Sequence, residues 1–149
     1  MATETIDDTD RALLQELQTD ARTSLAELGR RVGLSAPAVG ERVTRLQQAG
    51  IVRGFHADVD ARAVGYAFAA IVRIRPTAGR IPKVAKVAQE SGEVLWCHRI
   101  TGEDCFIAHM VVRDVEHLEE VIDRFTPFGQ TTTSLVQSSP VAPRGLPLS

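Results

Sequence analysis

The sequence predicts an α+β protein in two parts, a helical first third followed by a sheet domain of βαββαβ order. Three observations carry this. Up to Gly50 the apolar residues recur at spacings of three and four behind residues that cap helices. After Gly65 the pattern changes to short, nearly continuous apolar runs bounded by Gly, Pro or Asp. Between those runs lie two segments that return to helical spacing.

The first helix is expected to be capped by Asp8 or Thr9 and carries Leu13, Leu14 and Leu17 on one face. Ser24-Leu-Ala-Glu27 has the form of a capping box, in which Ser24 takes the Glu27 N–H and Glu27 reaches back. The helix it opens presents Leu25, Leu28 and Val32, and Gly33 supplies the positive φ that stops it. Ser35 then caps a third helix with Pro37 in its first turn, where a missing N–H costs nothing. Val39, Val43 and Leu46 form its buried stripe, and Gly50 ends it. Ile51 to Val59 reads as extended, a short strand that pairs back or leads away, and Asp60 to Gly65 as a linker.

In the second part, Tyr66–Arg75 reads as a strand stopped by Pro76, and Pro82–Glu90 as a helix closed by Gly92. Val94–Thr101 and Cys105–Arg113 are two strands. Asp114 caps a helix holding Val115, Leu118, Val121, Ile122 and Phe125, and Thr131–Ser138 is the last strand. This order is the ferredoxin-like arrangement, a four-stranded antiparallel sheet with two helices on one face. The expected organisation is a helix-turn-helix domain over 1–55, winged if the extended segment pairs. A linker strand follows over 56–65, then the ferredoxin-like domain over 66–139. A tail over 140–149 is extended or frayed, with Pro140, Pro143 and Pro147.

No apolar run reaches the ~18 residues needed to span a bilayer, and the acidic opening from Met1 to Asp10 is unlike a signal peptide. Cys97 and Cys105 are therefore read as reduced thiols in a cytoplasmic protein. No nucleophile elbow, phosphate loop or zincin motif occurs, so neither an enzyme nor a cofactor is expected. Net charge is −2, yet Asp20 to Arg53 holds six arginines (22, 30, 31, 42, 45, 53) against three acids (20, 27, 41). That local excess is a candidate footprint for phosphate, and a solvated helix surface explains it equally well.

A helix, a Gly33-Leu34-Ser35 turn and a second helix, braced by a first, form the helix-turn-helix plan. The second helix of such a pair can lie in the major groove of double-stranded DNA. With Val39, Val43 and Leu46 inward, the outward set is expected to be Ser35, Ala36, Ala38, Glu41, Arg42 and Arg45. Arg42 and Arg45 can reach bases or phosphates, Ser35 suits phosphate, and the alanines offer thymine methyls only apolar contact. So few long polar side chains predict a degenerate target, with DNA bending and linked heads adding specificity.

The sheet also carries information about partners. A sheet with one wet face alternates apolar and polar residues. Tyr66–Val72 and Phe106–Val112 do not. Two helices cover one face only, so the other is expected to be covered by a second copy, as an isologous dimer; the linker strand or tail is the alternative cover.

The stretch Asp10–Arg22, with Leu25–Leu28, Val32–Ser35, Arg42–Leu46 and Gly50–Gly54, resembles the Lrp/AsnC family of transcription factors. The second half agrees, in Cys97, Thr101–Phe106 and Gly129–Val136, so the resemblance runs from about Thr9 to Val141. It implies dimers through the ferredoxin-like domain that assemble into tetramers, octamers or larger rings. It also implies an amino acid or similar effector held between dimers. The lining residues would be Thr101, Gly102, Glu103 and Asp104 in the turn and Thr131, Thr132, Thr133 and Ser134 in the last strand. On chemistry alone Asp104 reads as a turn former and the threonines as strand residues. The same groups nonetheless suit a zwitterion: turn N–H groups for a carboxylate, Asp104 for an ammonium, hydroxyls for either. One departure is Cys105, where many members carry an aromatic residue, so the effector is left unnamed.

Two rivals follow from other residues. A hairpin turning at Gly102-Glu103 puts Trp96 opposite His109 and His98 opposite Ile107. His98, Cys105 and His109 then share a face as a loose candidate for zinc or redox sensing, and a packed sheet accounts for them better. The two-part architecture also resembles the siroheme decarboxylases, which handle a tetrapyrrole, and the same histidines could serve such an enzyme.

Overall fold

Asp7 opens helix α1 (Asp8–Thr19). Its carboxylate accepts the Asp10 N–H at 2.7 Å, and the Asp10 carboxylate accepts the Asp7 N–H at 3.2 Å, a reciprocal capping box. The cap thus lies one residue ahead of the expected Asp8 or Thr9, because only Asp7 has an acid three residues on that returns the bond. At helix α2 (Leu25–Val32) the expected box is half made. Ser24 accepts the Glu27 N–H at 3.2 Å, while the Glu27 carboxylate is taken by Arg31 Nε at 2.8 Å and by Arg30.

Gly33 ends α2 at φ 73°, and both its N–H and that of Leu34 return to the Gly29 carbonyl. The chain folds back so tightly that the Leu34 carbonyl oxygen occupies the space a Cβ on Gly29 would need. Helix α3 (Ala36–Gln48) follows, with Ser35 accepting the Ala38 N–H at 3.4 Å and Pro37 in its first turn. Leu13, Leu28, Val39 and Val43 form the core of this unit, with Leu46 also fully buried.

The computed structural model describes residues 5–148, so the ends of the expected 1–55 and 140–149 segments lie outside the described residues. The chain divides into a unit ending at Asp58, which takes in the tail from Val141, and a unit over Val59–Pro140. Ile51 to Val59 holds no strand, so the described residues show no β wing and no linker strand. The segment finds no partner for a ladder and instead runs into turns, with Asp60 accepting the Arg62 N–H and Ala61 the Tyr66 N–H, each at 2.9 Å. The tail forms no regular element either, yet it is tied down. Gln18 accepts the Leu146 N–H at 2.6 Å and donates to its carbonyl at 3.2 Å.

The second unit contains β1 (Phe68–Pro76), α4 (Ile81–Glu90), β2 (Val94–Arg99), β3 (Phe106–Val112), α5 (Val115–Asp123), a 3-10 turn (Thr126–Phe128) and β4 (Gly129–Leu135). The strands pair antiparallel in the order β2-β3-β1-β4. Trp96 faces His109, His98 faces Ile107 and Arg99 faces Phe106, as a turn at Gly102-Glu103 requires; a bulge precedes Trp96. One sheet face carries Ala70, Val72, Ile74, Phe106, Ala108, Met110 and Val112, all buried under α4 (Val84, Ala88) and α5 (Val121), with Phe125 just beyond α5. The opposite face holds Ala69, Ile71, Trp96, Ile107 and Val111 over most of its length and Arg73, Arg75 and Thr132 at one end.

A polar clasp fixes α5 to the start of β2. Asp114 caps α5 on the His117 N–H at 2.7 Å. The buried His117 ring accepts the Arg113 N–H on Nδ1 at 3.2 Å, which leaves Nε2 to bond Glu93 Oε1 at 3.0 Å. Arg124 donates to both Glu93 oxygens at 2.9 and 3.1 Å. The Arg124 bonds, with that of His117, outweigh burial and hold the Glu93 carboxyl down at about 2 instead of 4.5.

Two predictions follow. Gly29→Ala gains up to about 1 kcal/mol of helix propensity but forces a Cβ onto backbone that cannot yield, an overpacking cost of about 1–3 kcal/mol. A lower urea midpoint for the helical unit is the expected result. Glu93 titrates lower folded than unfolded, so its contribution is complete above pH 4.5 and is lost as pH falls toward about 2. Glu93→Gln should therefore destabilise the sheet unit at neutral pH, and the difference from the parent should close across that window in denaturant titrations.

Candidate functional site

The solvent side of α3 is not the one the sequence suggests. Pro37, Glu41, Thr44 and Gln48 are exposed, at the spacings four, three and four that place them opposite the Val39, Val43 and Leu46 stripe. Ser35 and Glu41 are exposed as expected, whereas Ala36 and Ala38 are half-buried. Arg42 and Arg45 are turned back against α1. Arg42 Nη1 reaches Asp7 at 2.7 Å and Asp10 at 2.8 Å, and Arg45 Nη2 reaches both Asp10 oxygens at 2.8 and 2.7 Å.

The reason is Asp10. Its side chain is 1% exposed, and a carboxylate so placed requires cationic partners. Burial alone would raise its carboxyl, but the bonds from Arg45 and Arg42 prevail and hold it below the usual range. Arg42, bonded first to Asp7 and then to Asp10, is pushed above its ordinary value. Arg31 likewise pairs with Glu16 at 2.5 Å and Glu27 at 2.8 Å. Much of the arginine excess counted in the sequence is therefore neutralised within the fold. Arg22 and Arg53 are exposed and, among the described residues, have no acidic partner. Thr44 and Gln48 were missed by the sequence reading although the helical period alone could have found them.

In the sheet unit, Thr101–Asp104 form the loop between β2 and β3, with Gly102 at φ 114°. Asp104, expected to await an ammonium group, already has company. Arg75 approaches it with Nε at 3.4 Å and Arg73 with Nη1 at 3.5 Å, while Arg75 Nη2 pairs with Glu103 at 2.6 Å. The Cys105 thiol lies 3.8 Å from the Gly102 and Glu103 carbonyls and makes only weak contacts. The β4 residues split between faces. Thr132 stands opposite Arg73 and Ser134 opposite Ile71, on the face of the arginines. Thr131 and Thr133 stand opposite Ile74 and Val72, on the helix-covered face, because strand side chains alternate. Arg73 and Arg75 escaped the sequence reading; two arginines at alternate positions ending an apolar strand were the available signal.

His98 and His109 share the open face, with Trp96 between them: ring centroids lie 5.1 and 5.5 Å from the indole. Burial lowers the His109 pKa. Among the described residues no group of three His, Cys, Asp or Glu is placed to hold a metal, so the alternative reading of His98, Cys105 and His109 finds no support. No described helix is long and apolar enough to cross a membrane.

This geometry separates two roles for helix residues. Asp10→Ala removes the partner of Arg45 and one of the two partners of Arg42, and should lower the melting temperature of the helical unit. Thr44→Ala and Gln48→Ala should move stability by no more than about 0.5 kcal/mol. Thermal melts followed by circular dichroism distinguish them.

Comparison with known proteins supports each half. An AsnC-type helix-turn-helix domain matches residues 6–47, and an Lrp/AsnC ligand-binding domain matches residues 69–146. The chain is 38% identical over 122 residues to the transcriptional regulator LrpA of Mycobacterium tuberculosis, covering 81% of each protein. It is 30% identical over 133 residues to LrpC of Bacillus subtilis, covering 89% of this chain and 92% of that one. A transcriptional regulator of Neisseria meningitidis, solved as an L-methionine complex, superposes with a TM-score of 0.90 at 29% identity over 97% of both chains. These relatives are regulators of transcription and lend no support to a decarboxylase. With both domain models matched in order along one chain, the protein belongs to the Lrp/AsnC family of transcriptional regulators.

Proposed function

We propose that the protein acts in the cytoplasm, binds double-stranded DNA through the exposed side of α3, and adjusts that binding to an amino-acid-class effector held at the Asp104 corner. The observation that carries the DNA reading is the stripe of Pro37, Glu41, Thr44 and Gln48 on a helix whose caps and core fix its position. Ser35, at the helix start, keeps its hydroxyl proton for a phosphate. Thr44 and Gln48 supply the hydrogen-bonding groups for base edges, and Arg22 and Arg53 the unpaired charge for phosphates. Arg42 and Arg45 hold the helix in place.

The Arg73–Asp104–Arg75 group supports the effector reading. Its contacts to Asp104 are long, 3.4 and 3.5 Å, and Asp104 is 26% exposed. A free amino acid carries both charges and can exchange into such a pair, its carboxylate on an arginine and its ammonium on Asp104. Thr132 and Ser134 share that face, while Thr101, Gly102 and Glu103 shape the loop around it. The methionine complex of a relative favours the amino-acid class. The apolar remainder of the open sheet face suits a second copy, giving dimers that assemble to tetramers, octamers or larger. Effector bound at one assembly state would shift the balance of states and hence the spacing of paired α3 helices.

The test uses duplexes selected from a random pool and L-methionine as the effector probe. Thr44→Ala and Gln48→Ala should relax base preference. Arg53→Ala should weaken all sequences alike and reduce the logarithmic salt slope by about 1. L-Methionine should raise the melting temperature of the parent, and Asp104→Ala and Arg73→Ala should abolish that shift while leaving DNA binding intact. Unchanged methionine responses in both variants would place the effector elsewhere.

A further inference from the structure

The sheet unit holds a cleft on its helix-covered side, the sheet face opposite Arg73 and Arg75. It is an open groove of about 640 Å³ between α4 and the edge strand β2. That is within the ordinary range for small-molecule sites. Ile81, Ala85 and Ala88 form one wall, with Val94 and Phe106 opposite. No acidic side chain lines it, and Arg99 is its one charged group. Among the described residues Arg99 has no ion pair or hydrogen bond from its guanidinium, unlike Arg73 and Arg75 on the other face. The register places Arg99 beside Phe106, at the end of the cleft opposite Val94. The cleft is thus an apolar trough with a single unspent cation at one end.

We propose that this cleft binds a small monocarboxylic acid with an apolar chain, the carboxylate on Arg99 and the chain lying between α4 and β2. Charge complementarity selects the acid group. A guanidinium with no internal partner donates a bidentate pair to a carboxylate without giving up an existing bond. Chain burial against alanines, Val94 and Phe106 supplies the rest. A free amino acid is disfavoured, because its ammonium would meet no acceptor charge among the lining groups. The site would report a second class of metabolite, distinct from the effector at Asp104 in both chemistry and position.

The probes are butanoate, hexanoate and octanoate, with octan-1-ol and L-leucine as comparators, titrated into the full chain by calorimetry. Trp96, the only tryptophan, borders the cleft from β2 with its ring on the opposite sheet face and gives an indirect fluorescence readout. Affinity should rise roughly fourfold for each added CH₂. Arg99→Gln, an exposed change that breaks no bond in the fold, should weaken octanoate roughly tenfold and leave octan-1-ol unchanged. Octanoate should also slow alkylation of Cys97, whose thiol lines the cleft, with Cys105 as the internal control. Asp104→Ala should leave octanoate binding intact, so this reading and the effector reading fail separately. Equal octanoate affinity in Arg99→Gln, no dependence on chain length, or unprotected Cys97 overturns the proposal. So does a leucine response that depends on Arg99.

Discussion

Three carboxylates, each shared between two side-chain donors, organise this protein, and their burial decides what each one does. Asp10 is sealed by Arg42 and Arg45, so its pairing is obligatory and sets the orientation of α3. Glu93 is shared by Arg124 and His117 at 15% exposure and ties a helix to a strand. Asp104 sits between Arg73 and Arg75 at 26% exposure with longer contacts. A sealed pair is costly to break because each partner is left uncompensated in a poor solvent. An open pair costs little to exchange. The gradient from Asp10 to Asp104 is thus a gradient from a fixed pairing to an exchangeable one.

The α3 face proposed to meet DNA follows from the first of these. With both α3 arginines paired to acids at the start of α1, the most exposed face of α3 carries one acid and short or neutral side chains. Such a face reads few base edges strongly. Affinity would then draw on peripheral charge and, under the proposed assembly, on several heads acting together.

Much of this was legible before the structure. The capping residues at Ser24, Ser35 and Asp114, the breaks at Gly33 and Gly50, and the pairing of Trp96 with His109 all follow from local rules that depend on neighbours a few residues away. What escaped has a common cause. The destination of a long arginine side chain is set by acids 32 to 35 residues distant, as with Arg42 and Arg45 on Asp10, and periodicity carries no information about them. The same holds for Arg73 and Arg75 at the loop and for the Leu146 backbone on Gln18. Thr131 and Thr133 are different. Alternation along a strand already put them on the other face from Thr132, and the motif-based reading overrode it.

The contact between Gly29 and the Leu34 carbonyl has a mechanical meaning. With backbone pressed on backbone at the turn, and the Gly29 oxygen holding two N–H groups, α2 and α3 have no slack between them. The helix pair is a stiff bracket with its angle set at folding. A bracket of that kind can be carried to a new position but not bent into a new shape, so under the proposed function an effector acts on DNA binding through where the brackets are held.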